Sequence, residues 1–82
     1  KAEGEELMAV VTCAAMTEAL ESPDAGWWRA LVTRTVGSSE KARLLIDEVA
    51  KVITENINNG HVGLAEVNTA VAECKAARAR GS

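Results

Sequence analysis

Breakers at Ser22-Pro23, Gly37-Ser38 and Asn58-Asn59-Gly60 cut the chain into four segments, and the apolar residues in each recur at steps of three and four. That spacing lines one face of an α-helix and cannot line one face of a strand. The first segment, about Glu3 to Glu21, carries Leu7, Val10, Val11, Ala14, Ala15 and Leu20, with Ala9, Cys13, Met16 and Leu20 as a second stripe. The stripes merge into the wide apolar face of a helix covered on more than one side. Glu3, Glu5 and Glu6 sit in its first turns, where the helix dipole favours anions.

Ser22 is a candidate N-cap and Pro23 suits a first helical turn, so the second segment is predicted over Pro23–Val36. Its inner face is Trp28, Leu31, Val32 and Thr35 or Val36, with Arg29 and Thr33 pointing away and Gly37 as the stop. Ser38-Ser39-Glu40 starts the third segment, the cleanest amphipathic pattern in the chain: Ala42, Leu45, Ile46, Val49, Ile53 and Ile57. Asp47 and Lys51 are spaced i,i+4 as an acid-to-base pair on it, and Asn58-Asn59-Gly60 is expected to close it. The fourth segment starts near Val62 or Leu64 and runs to about Ala79, with Leu64, Val67, Val71, Cys74 and Arg78 in step and Lys75, Arg78 and Arg80 in its last turns.

The predicted fold is therefore all-α, a small antiparallel (up-down-up-down) bundle of about four helices. Eighty-two residues allow one domain, assigned to 1–80, with Gly81-Ser82 set aside as terminal residues of engineered or processed appearance. A chain of this size buries only about 60% of the surface it exposes unfolded. The core must be built from Ala, Val, Leu and Ile with two Trp and no Phe or Tyr, a palette that lets helices approach closely. In an end-matched bundle the acidic start of the first helix would face the basic end of the fourth.

Composition excludes several classes. A net charge of −3 argues against a dedicated nucleic-acid binder. No run of eighteen apolar residues exists to span a membrane, and the acidic stretch Lys1–Leu7 does not read as a secretory leader. The chain reads as soluble, with no compartment indicated.

Trp27-Trp28 is the most informative pair. Neighbours on a helix point about 100° apart, so both rings cannot face one core. One is expected to anchor the core and the other to lie at its edge or on the surface. As a binding site, Trp27 and Trp28 would form a hot spot or a pocket wall; as structure, they simply add bulk to an Ala-rich interior. His61, in a short turn, has no ligand or base partner at a suitable spacing and reads as a solvated loop residue. Cys13 and Cys74 lie on neighbouring helices. One bridge between them remains open; counted from a shared bundle end, however, Cys13 lies deeper than Cys74, which favours two free, buried thiols. The carboxylates are scattered on solvent faces and helix starts, and no Gly-rich phosphate loop is present. No catalytic residue, metal ligand or cofactor is assigned.

Ile46-Asp47-Glu48-Val49, Ile53-Thr54-Glu55 and Gly60 resemble the second helix and turn of bacterial histone-like DNA-bending proteins, and Lys75-Ala76-Ala77-Arg78 is similar to the basic stretch entering their DNA-binding arm. The likeness covers about the second half of the chain and implies a strand-turn-strand after Gly60. Against it, Ala65-Glu66-Val67-Asn68 reads as helix where that family has a Gly-Phe-Gly turn, and its Phe core is missing. No functional residue is carried over.

Three functions remain. The leading one is a non-enzymatic helical scaffold or protein-interaction module, with a protein partner or a second copy as its target; its tidy caps also suit an engineered or designed origin. The alternative is a bundle with an internal pocket for a small apolar molecule, lined by Trp27 or Trp28, with Thr12, Thr17, Thr35 or Asn68 as polar contacts. Such groups would then be buried and unpartnered in the free protein. Nucleic-acid binding rests only on the basic C-terminal end and predicts affinity that falls steeply with salt.

Overall fold

A computed structural model describes residues 3–81, with side chains from Glu6 to Arg80. Among these residues the chain forms four helices and no strand: α1 (Glu3–Ala19), α2 (Ala25–Val36), α3 (Ser39–Asn58) and α4 (Leu64–Gly81). This is the small all-α bundle that the apolar periodicity predicts. The continuous helix from Leu64 leaves no room for the strand-turn-strand that the histone-like resemblance implies.

The helix ends follow local chemistry. Ser38 is extended at the head of α3, and its Oγ accepts the Lys41 backbone N–H at 3.2 Å. Gly37 closes α2 in the left-handed region, its N–H donating to the Thr33 carbonyl. Gly60, also left-handed, closes α3, while the His61 N–H donates to the Asn56 carbonyl at 2.9 Å. The start of α4 is capped from within: Glu66 Oε1 accepts the Gly63 backbone N–H at 3.1 Å, half of a capping box.

The first turn departs from expectation. Helix α1 ends at Ala19, and Glu21 takes the left-handed conformation, φ 55°. The Ser22 N–H reaches back to the Thr17 carbonyl at 2.8 Å and the Glu21 N–H to the Glu18 carbonyl at 3.0 Å, a Schellman ending built without glycine. This ending delays the next helix. Ser22 Oγ accepts the Asp24 N–H at 3.1 Å, Asp24 becomes the N-cap residue, and α2 begins at Ala25 rather than Pro23.

Helices α1, α2 and α3 pack on one another around Val11, Ala14, Ala15, Trp28, Val32, Ala42 and Ile46. Glu6, Leu7 and Val10 at the start of α1 lie beside Thr35 near the end of α2, so these two run antiparallel. Helix α4 packs mainly on α1. It starts beside Thr12 and Met16 of α1 and Ile53 and Asn56 of α3, and its last turns reach Asp24 and Trp27 at the head of α2. It thus lies across one turn of α1. Only Cys74 from α4 joins the main core; Val67 and Val71 are buried outside that cluster.

Candidate interaction site around Trp27

The tryptophans divide as the helical 100° step requires. Trp28 is 4% exposed and belongs to the core, whereas Trp27 is 45% exposed. Their rings meet edge to face, centroids 5.0 Å apart and planes at 82°. This is a favoured aromatic geometry. The Arg78 guanidinium, from α4, lies 4.5 Å from the Trp27 ring centroid and 5.9 Å from that of Trp28. A cation over an indole face is worth about 0.5–1 kcal/mol at an exposed site.

Asp24 completes the arrangement. Its carboxylate receives Lys75 Nζ at 3.1 Å and Arg78 at 3.7 Å. No backbone N–H of α2 occupies that side chain, because Asp24 caps without a side-chain hydrogen bond. The acid stands at the positive end of the α2 dipole and meets two cations from α4, so one residue orients both elements. Such pairs are individually weak when this exposed, and their value here is positional. Lys75 and Arg78 thus meet Asp24 at the head of α2, where end-matched packing predicts the acidic start of α1; the side chains of Glu3 and Glu5 lie outside the described residues. Next to Trp28 in sequence, Arg29 of α2 pairs with Glu18 of α1 at 2.6 Å.

Cys13 and Cys74 form a disulfide with Cα atoms 6.0 Å apart, so of the two open readings the bridge holds and the favoured free thiols do not. The depth argument assumed that α1 and α4 share an end. Because α4 crosses α1, residues at unequal depth meet at the crossing point. Cys74 lies one helical turn before Arg78, so the covalent link and the cation over the tryptophans share a face of α4.

The polar groups that a waiting pocket would leave unpartnered are satisfied. Thr12 Oγ1 donates to the Met8 carbonyl at 2.7 Å, and Thr35 Oγ1 to that of Leu31 at 2.9 Å. Asn68 Nδ2 donates to the Leu64 carbonyl at 3.0 Å. Thr17, fully buried, donates to the carbonyls of Ala14 at 2.8 Å and Cys13 at 3.1 Å. Two buried donors among the described residues have no partner, Trp28 Nε1 and Arg29 Nε. Among the described residues, surface clefts of about 500, 250 and 390 Å³ include neither tryptophan in their walls. His61 is exposed in the turn before α4. Among the described residues no three His, Cys, Asp or Glu side chains are grouped as a metal ion would need. None of the described helices is long and apolar enough to cross a membrane.

Sequence reasoning found the tryptophans but missed Asp24 and the placement of Arg78. The available signal was an acid directly after Pro23, at the predicted start of the second helix, where the dipole favours anions. The fold and site define a small disulfide-linked helical bundle with one aromatic ring held at its surface by a cation. No protein-family model, no curated protein and no solved structure matches the chain.

Proposed function

We propose that this chain is a non-enzymatic helical protein-interaction module whose docking surface is centred on Trp27. One observation carries the reading. Trp27 is nearly half exposed, yet its ring contacts both the Trp28 ring, edge to face, and the Arg78 guanidinium. A held aromatic surrenders little conformational entropy on binding, and Trp and Arg are the residues most enriched at binding hot spots. Lys75 and Arg78 are both engaged with Asp24, which favours a protein partner over a nucleic acid for this surface.

The alternative, an internal pocket for a small apolar molecule, draws support from the unpartnered Trp28 Nε1 and Arg29 Nε but not from the threonines and Asn68, which are satisfied within their own helices. An engineered origin fits the caps at Ser38 and Glu66 but not Glu21, whose left-handed backbone an idealised design would give to glycine.

Affinity capture with the parent, Trp27→Ala and Leu44→Ala as baits tests the module, alongside sedimentation equilibrium for a second copy. Leu44 is similarly exposed but lies on α3, outside the site. A partner, or self-association, kept by the parent and Leu44→Ala and lost by Trp27→Ala supports the reading. Equal behaviour of the two variants refutes it.

A further inference from the structure

We infer that the Cys13–Cys74 disulfide is a redox-operated latch that holds α4 across the bundle and, when reduced, releases that helix while α1–α3 stay folded. The inference rests on packing and is independent of any partner at Trp27.

Three observations lead there. The main core is built by α1, α2 and α3, and the side chain by which α4 enters it is Cys74, itself half of the disulfide. Neither the buried nor the partly buried apolar residues of that core include another member of α4. The remaining hold on α4 lies outside the main core: Val67 and Val71 are buried, Val67 beside Met16 of α1 and Ile53 of α3, while Lys75 and Arg78 meet Asp24 and Arg78 covers the indoles. The first residue of α4, Leu64, is 56% exposed. A helix so placed is tied to the main core by one attachment, and it is covalent.

Cleavage needs a dithiol reductant. A thiolate of the dithiol attacks the disulfide at Cys13, the more exposed of the two residues. The S–S bond breaks, a mixed disulfide forms on Cys13, and Cys74 leaves as a thiolate that takes up a proton. The second thiol of the reagent then closes on the first, expelling Cys13 as a thiol. Two electrons and two protons pass to the protein, and the dithiol ends as its own disulfide. Release of α4 removes Arg78 from both indoles and bares the turn of α1 that α4 crosses. A lone helix of this length is marginal in water, so freed α4 loses its amide protection.

The test is segment-resolved amide hydrogen exchange on the full chain, with and without dithiothreitol, joined to iodide quenching of the tryptophans. On reduction, protection of α4 amides is expected to fall at least 100-fold, protection of α2 and α3 to change less than 5-fold, and quenching to rise. Removing the reductant under oxidising conditions restores the starting pattern. A Cys13→Ala/Cys74→Ala chain is expected to show the released pattern without reductant and no response to it. Equal loss of protection in all four helices, in either the reduced parent or the double variant, overturns the latch, because the link then holds the whole fold. Retained α4 protection after complete thiol release overturns it as well, because noncovalent packing then suffices.

Discussion

Replacing both cysteines by alanine puts a number on what the link contributes. The disulfide joins residues separated by 61 positions. In the chain-entropy account, closing a loop of that size restricts the unfolded ensemble by about 4 kcal/mol at 25 °C. A domain of this length holds roughly 4–12 kcal/mol in all. The link is therefore a large share of the total, as expected where the core is small and Ala-rich. If α4 is already released in the variant, its folded state has relaxed, and the loss falls to between about 2 and 4 kcal/mol. A second quantity moves with it. The urea m-value scales with the surface exposed on unfolding, and α4 supplies 18 of the 82 residues. Its prior release lowers m by about a fifth. Urea titrations of the oxidised parent and of Cys13→Ala/Cys74→Ala, followed by circular dichroism at 222 nm, read both quantities. A loss under about 1 kcal/mol with unchanged m would refute the reasoning at both steps: the loop entropy and the dependence of α4 on its link.

Other perturbations test single elements. Glu21→Gly relieves the left-handed backbone at the end of α1 and should stabilise the fold by about 1 kcal/mol, seen as a melting temperature raised by roughly 4–8 °C. Ser38→Ala removes the oxygen that accepts the Lys41 N–H and should cost about 1 kcal/mol in the same assay. Ile46→Ala empties the largest fully buried side-chain position and should cost about 2–5 kcal/mol in urea titration. Gly63→Ser completes the capping box with Glu66, and a Cβ there meets nothing within 4 Å. The variant should gain about 0.5–1 kcal/mol in thermal melts, from the new cap bond and a less flexible unfolded chain.

The parts of the fold that depend on near neighbours were legible in the sequence. The period of α3, its Ser38 cap and the Gly37 and Gly60 stops are each decided within a few residues, and each lies where the sequence puts it. The division of labour between Trp27 and Trp28 follows from adjacency on a helix. What failed depends on angles. The start of α2 slipped to Ala25 because Glu21, with no glycine to mark it, took the left-handed turn. The cysteine pairing was missed because apolar spacing defines which face of a helix is buried but not the angle at which the next helix crosses it. The same angle carried Lys75 and Arg78 to Asp24, so the cluster that orients Trp27 was hidden with it.

That crossing explains how the site can exist in so small a protein. Trp28 satisfies the demand for bulk in an interior of Ala, Val and Ile, which leaves Trp27 outside because the two are neighbours on one helix. An indole left alone on the surface would sample several rotamers, and ordering it would cost free energy on every encounter. Helix α4, laid across α1, brings Arg78 over the ring, and Asp24 anchors that arginine from the head of the same helix that carries the tryptophans. The cation, its counter-ion and the aromatic pair thus form a closed set spanning two elements that pack mainly on α1. Without the Cys13–Cys74 link, α4 keeps buried Val67 and Val71, the Arg78 cation over the indoles and ion pairs to Asp24 worth about 0–1 kcal/mol each, a hold without the covalent tie to the main core. The disulfide and the surface tryptophan are therefore one structural unit: the bond fixes α4, α4 delivers the cation, and the cation holds Trp27 in place.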